Sequence, residues 1–82
     1  MSVNGDLPSR LKGVFQNVFH ELPPEEAIRI TRLDAKYWDS EAHLFLIVSL
    51  EEEFGVTIGD FEGLEITSLD SAREMLLEKL GV

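Results

Sequence analysis

Cysteine is absent from this chain of 82 residues, which excludes disulfides, thiolate metal sites and a protein-borne thiol nucleophile. Long apolar runs are missing too. The longest, Leu44 to Val48, spans five residues, whereas a transmembrane helix needs about 20. The N-terminus has neither a basic region nor an apolar stretch, so it does not match a secretory signal. We therefore expect a cytoplasmic protein without membrane insertion.

Basic residues are scarce and unevenly distributed. The chain has 16 acidic and 7 basic residues, for a net charge of -9. Residues 39–82 hold eleven of the acids, against only Arg73 and Lys79 as bases. Such a field repels nucleic-acid phosphates and anionic membranes, and it attracts basic protein surfaces. This excludes nucleic-acid binding and favours a monomer that meets basic partners.

The N-terminal third predicts a first helix over residues 7–21, with Asp6 as N-cap and Pro8 in the first turn. Its apolar residues recur with helical spacing and form one stripe: Leu7, Leu11, Val14, Phe15, Val18, Phe19 and Leu22. Pro23 and Pro24 end it. Residues 23–39 then form a long connection, in which residues 25–32 have the composition for one helical turn.

A second helix is predicted from Ser40 to Phe54, with Asp39 or Ser40 as N-cap and Gly55 as the left-handed stop. Its apolar residues fall on two sides. One side consists of His43, Leu46, Ile47, Leu50 and Phe54, and the other of Leu44, Phe45 and Val48, bracketed by Glu41, Glu51 and Glu52. Either the helix is covered all round, or it exposes an apolar strip rimmed by carboxylates.

Two more helices complete the predicted fold. A short third helix is expected to be capped by Asp60, and a fourth to begin at a capping box of Thr67 and Asp70 and to end at Gly81. No strand alternation is present. The prediction is a single all-α domain over residues 1–82: a small four-helix bundle of three longer helices and one short one, with a long loop between the first two.

Catalysis has little support in the sequence, and we expect no enzyme and no metal site. Nucleophile-elbow, phosphate-loop, zinc and calcium motifs are all missing. Ser40 and His43 lie three residues apart on one helix, but no third orienting group accompanies them. Glu51 and Glu52 fit a solvated acidic face better than an acid/base pair.

The stretch from Asp39 to Val56 resembles the second helix of acyl carrier proteins. In that family an Asp-Ser pair opens the helix, and a Leu-Glu-Glu-Glu-Phe segment closes it at a fixed distance. Here Asp39-Ser40 and Leu50-Glu51-Glu52-Glu53-Phe54 have that spacing. Length, acidity and helix order extend the resemblance over the whole chain, and Met1 and Gly81 near its two ends suggest a discrete carrier.

The resemblance implies a 4′-phosphopantetheine arm on Ser40, attached by a phosphopantetheinyl transferase with assistance from Asp39. The arm would carry an acyl group as a thioester to acyl-loading and acyl-transferring enzymes of lipid, fatty acid or secondary-metabolite biosynthesis. Basic surfaces of these enzymes would dock on a strip of apolar and acidic residues: Glu41, Leu44, Phe45, Val48, Glu51 and Glu52.

Three residues depart from the family pattern. Glu41 replaces the usual apolar residue after the modified serine, Phe45 replaces a common acid, and Trp38 replaces a small or aliphatic residue. These departures favour a specialised carrier. Two alternatives remain: an aminoacyl or peptidyl carrier of the same fold, and an unmodified acidic helical adaptor that binds a basic partner through the same strip.

Overall fold

Five α-helices account for all regular structure in the computed structural model, which describes the backbone of residues 3–81 and the side chains of residues 7–81. They are α1 (Val3–Val18), α2 (Pro24–Ala27), α3 (Ser40–Phe54), α4 (Asp60–Leu64) and α5 (Leu69–Leu80). The described chain is thus all-helical, as predicted. The predicted count of four helices omits α2, which lies at the start of the long connection.

Helix α1 buries the predicted apolar stripe from Leu7 to Val18, with Leu11 and Phe15 fully inaccessible. The last member of the predicted stripe, Leu22, lies beyond the helix and is only half-buried. Both of its ends differ from the prediction. It begins at Val3, so Asp6 lies inside the helix and is not its N-cap. Pro8 lies inside the helix, beyond the first turn in which proline is normally tolerated, and it therefore does not mark the start. The helix ends at Val18, and Phe19 continues into a turn that precedes the two prolines.

The connection between α1 and α3 is an ordered segment anchored at several points. Ala27, Ile30 and Trp38 are buried in the core, whereas Leu33 is 94% exposed. The backbone N–H of Arg32 donates to the carbonyl of Thr67, 3.1 Å away. This bond joins the connection to the segment that leads into α5.

Helix α3 has the predicted boundaries because a strong signal stands at each end. The side chain of Asp39 accepts a hydrogen bond from the N–H of Ala42, and Gly55 stops the helix with φ at 64°, a left-handed conformation that favours glycine. Leu46, Leu50 and Phe54 are buried. The opposite side faces solvent, so the helix is not covered all round.

The caps of α4 and α5 are each displaced by one residue from their predicted positions. Gly59, not Asp60, precedes α4, and its N–H donates to the carboxylate of Glu62 at 2.9 Å. Ser68, not Thr67, caps α5. Its hydroxyl and that of Ser71 each accept the other residue's N–H, at 3.2 and 3.0 Å. The capping partner is thus Ser71 and not Asp70.

One hydrophobic core joins these elements. Helix α1 packs against α2, α3 and α5, and the largest fully buried side chain is Trp38, which contributes to this core from the connection. Among the described residues, no helix combines the length and the apolar character that crossing a membrane requires. The N-terminal end of α3 lies beside Trp38 and close to α4, and this corner holds the residues that the sequence singled out.

Candidate functional site at the start of α3

Asp39 and Ser40 occupy two different positions at the beginning of α3, the N-cap and the first helical residue. The extended backbone of Asp39 (φ -88°, ψ -174°) makes it the N-cap, and its Oδ1 accepts from the N–H of Ala42 at 2.8 Å. Ser40 is the first residue of the helix, and its side chain is exposed. A capping serine would hold its hydroxyl against the helix backbone. Because Asp39 already provides the cap, capping does not explain the presence of Ser40.

His43 lies one turn further along α3 and links three segments. Its Nδ1 accepts from the indole Nε1–H of Trp38, and its Nε2 lies against the carbonyl oxygen of Gly63 in α4; both distances are 2.9 Å. An indole nitrogen only donates and a carbonyl only accepts, so the ring is neutral and carries its proton on Nε2. Burial lowers the pKa of His43 below its ordinary value of 6.5, and the charge of Arg32 lowers it further.

The apolar strip of α3 is exposed to solvent. Leu44, Phe45 and Val48 are 64%, 51% and 41% exposed, which is unusual for large apolar side chains that lie side by side. Glu41 and Glu52 are exposed at the two ends of this strip. The arrangement brings together apolar area and negative charge, which is the second of the two alternatives that the sequence left open.

Glu51 has a structural contact that the spacing did not indicate. The backbone N–H of Ile58 donates to its Oε2 at 2.8 Å, and the side chain is half-buried. This bond holds the loop after α3 against the helix. Glu51 therefore lies beside the strip but directs one carboxylate oxygen towards the loop.

Two shallow grooves flank the strip and share Leu44. One runs towards α4 and is lined by Ser40, Leu44, Ile47 and Leu64, with His43 and Gly63 among its other lining residues. The other runs towards α1 and the connection, between Phe45 and Val48 on one side and residues of both segments on the other: Val18, His20, Glu21, Lys36 and Tyr37. Ser40 thus stands at the margin of an apolar groove.

Comparison with known proteins does not assign the chain to a family. No protein-family model matches the chain, and a search of the curated proteins finds no match. The likeness to acyl carrier proteins therefore rests on the residues quoted above.

Several residues of this corner were missed because their importance depends on tertiary contacts. Trp38 is one of the apolar residues of the connection and its burial is in keeping with that, but its hydrogen bond to His43 was not predicted. Phe61 and Leu64 lie on the short helix α4 and are 86% and 66% exposed, which was not predicted from the sequence. Their spacing of three residues places both on one face of α4, and this spacing was the feature of the sequence that indicated an apolar face.

Proposed function

We propose that this protein is a carrier of the acyl carrier type, with Ser40 as the attachment site of a 4′-phosphopantetheine arm. One observation carries the proposal: because Asp39 caps α3, the exposed serine at the first helical position is not needed as a cap. When bound, the arm would supply the thiol that carries an acyl group as a thioester, a group that this cysteine-free chain lacks.

The residues around Ser40 fit a phosphodiester at that position. The first N–H groups of a helix have no partner within the helix and attract negative charge. Asp39 takes the N–H of Ala42, and the two earlier N–H groups of the first turn, those of Ser40 and Glu41, have no partner within the helix. The carboxylate of Asp39 repels a second negative charge at Ser40. The part that the resemblance gives Asp39 in the attachment reaction would account for an acid at this position.

The exposed strip supports docking of partner enzymes. Leu44, Phe45 and Val48 offer apolar area for burial, while Glu41 and Glu52 steer basic surfaces towards it. We expect the rate of association with these partners to fall as the salt concentration rises, because exposed charges are screened beyond about 8 Å at physiological ionic strength. The partners would be a phosphopantetheinyl transferase and the enzymes that load and use the acyl group.

Glu41 and Phe45 favour a dedicated set of partners over general fatty-acid enzymes, since both change the chemistry of the strip next to Ser40. In this proposal the protein acts as a cytoplasmic monomer with the four-helix carrier fold, and α2 is a turn within the long loop. The pathway would be one of lipid or secondary-metabolite biosynthesis. Aminoacyl or peptidyl cargo would use the same site.

The test is intact-mass spectrometry after incubation with coenzyme A, magnesium and a broad-specificity phosphopantetheinyl transferase. Wild-type protein should gain the mass of one phosphopantetheine, and Ser40→Ala should gain none. Ser49→Ala is the matched control, since it removes a hydroxyl from the same helix two turns further on, and it should be modified like the wild type.

If the wild-type protein is not modified although circular dichroism shows that it is helical, the same incubation is repeated with Glu41→Leu. Modification of that variant would support a carrier that needs a dedicated transferase. Failure of both proteins would overturn the carrier proposal. The exposed acidic strip would then favour the unmodified adaptor, which pull-down with a basic partner would identify.

A further inference from the structure

Helix α4 has few contacts of its own with the rest of the molecule. It is five residues long, and Gly63 is its one buried residue. Isolated helices of this length are not stable in water. Its two large apolar residues, Phe61 and Leu64, face solvent, and the buried apolar residues that anchor the segment, Ile58 and Ile66, lie just outside the helix on either side. Between these two anchors, the position of α4 against α3 and α5 depends on a small number of specific contacts.

Three such contacts are present among the described residues. Gly63 lies so close to α3 that an added Cβ would be 3.3 Å from Cδ1 of Ile47. Lys79 of α5 pairs with Glu62 at 2.8 Å. His43 of α3 lies 2.9 Å from the carbonyl oxygen of Gly63, and this contact is the one nearest to Ser40 along the helix.

The contact from His43 requires a neutral ring. Protonation at Nδ1 would place a second N–H against the Nε1–H of Trp38, where two donors face each other without an acceptor. Trp38 cannot turn away easily, because it is 1% exposed and packs against Phe15 and Phe19 with ring centroids 5.8 and 5.1 Å apart. The ring of His43 must move instead, and its bond to Gly63 moves with it.

We propose that the neutral side chain of His43 is a proton-controlled latch that holds α4 against α3 beside Ser40. When His43 takes up a proton, its bonds to Trp38 and Gly63 break and α4 loosens. The groove between Leu44 and Leu64 then widens next to the serine. The latch is a property of the folded chain and does not depend on the function proposed for Ser40.

Burial of the ring, more than the charges around it, favours the neutral, latched form near pH 7. Burial and the charge of Arg32, on the connection, lower the pKa of His43, and its hydrogen bond to Gly63 raises it by a smaller amount. Asp60 of α4 lines the same groove, and Asp39 caps the helix one turn before the ring. Because the pKa is lowered in the folded protein, the latch contributes its full stability above pH 6.5 and loses it as pH falls through the lowered pKa.

Nuclear magnetic resonance of the unmodified protein between pH 7.5 and 5 tests the latch. The chain has one tryptophan, so the indole N–H signal is unambiguous. We expect this signal to shift with the same midpoint as the His43 ring, below pH 6.5. The amides of Gly63, Glu65 and Ile66, in and just after α4, are hydrogen-bonded. Their hydrogen exchange, corrected for its intrinsic pH dependence, should rise by about tenfold across that midpoint as local opening increases.

Four variants make the test specific. His43→Gln supplies an amide acceptor and donor at every pH, so it should keep α4 protected and abolish the pH dependence. His43→Leu should exchange at every pH like the acid form of the wild type. His20→Gln removes the other histidine, which is exposed, and should retain the full transition. Ser40→Ala should retain it too, which separates the latch from modification.

The proposal is overturned if the His43 ring titrates while the Trp38 indole signal and the amide exchange of Gly63, Glu65 and Ile66 stay constant. It is overturned equally if His43→Gln keeps the wild-type pH dependence. Should His43→Leu fail to fold, the wild-type titration and the His43→Gln comparison still decide the matter.

Discussion

At the scale of single residues, Trp38 determines how the connection meets α3. Its indole fills the core beside Phe15 and Phe19, while its N–H satisfies Nδ1 of His43. A buried side chain with both a large apolar surface and a satisfied donor is costly to replace, because the substitution loses packing and leaves a polar partner unpaired. The residue directly before Asp39-Ser40 is thereby held in one position.

Trp38→Phe is therefore expected to lower the free energy of unfolding by about 1–3 kcal/mol, since it removes the donor to His43 and part of the packed volume. Urea denaturation followed by circular dichroism measures the change. Leu33→Ala is the control, because Leu33 is 94% exposed and its loss should change stability by less than about 0.5 kcal/mol. Equal small effects in both variants would show that Trp38 does not anchor the connection.

Glu62 is a second residue whose properties depend on tertiary contacts. The hydrogen bond from Lys79 lowers the pKa of Glu62 below 4.5, and the N–H of Gly59 lowers it further. A lowered carboxyl pKa stabilises the fold above the ordinary value, and this contribution is lost as pH falls through the lowered pKa. We expect Lys79→Gln to raise the pKa of Glu62 towards 4.5 in a carbon-detected titration. An unchanged pKa would mean that the ion pair does not form in solution.

At the scale of elements, the two ends of α3 show what a sequence pattern can predict. Asp39 and Gly55 are local signals whose effect requires only the neighbouring backbone, and both boundaries of α3 were predicted correctly. The start of α1 and the caps of α4 and α5 were misplaced, because several nearby residues were able to cap. His43 and Trp38 form a hydrogen bond whose importance depends on packing against α1 and α4, and the spacing of residues carries no information on that packing.

The cap of α3 can be separated from the charge of Asp39 by a pair of variants. Asp39→Ala should destabilise the unmodified protein by about 1 kcal/mol, the usual cost of losing an N-cap. Asp39→Asn keeps a capping oxygen and should stay within about 0.5 kcal/mol of the wild type. Thermal unfolding measures both. Equal destabilisation by the two variants would show that the negative charge matters for α3, and not the hydrogen bond to Ala42.

At the scale of the whole molecule, the charge distribution opposes the fold that the core stabilises. The net charge is -9, and the acids are concentrated in the half that forms α3, α4 and α5. Three ion pairs are present among the described side chains, between Arg10 and Glu53, Arg73 and Asp70, and Lys79 and Glu62. All three are solvent-accessible and contribute little each, so repulsion between the remaining carboxylates dominates the electrostatic energy.

Screening should therefore stabilise the protein. Raising NaCl from about 10 mM to 1 M shortens the Debye length from about 30 to 3 Å, and we expect the melting temperature to rise by about 4–8 °C, which corresponds to about 1 kcal/mol at this size. The double variant Glu74→Gln and Glu78→Gln, which removes two exposed acids of α5, should melt higher at low salt and respond less to NaCl. A melting temperature that falls with salt would mean that the three ion pairs outweigh the repulsion. Magnesium chloride at equal ionic strength distinguishes screening from cation binding. If the melting temperature rises further with magnesium than with NaCl, cations bind at the acidic surface in addition to screening it.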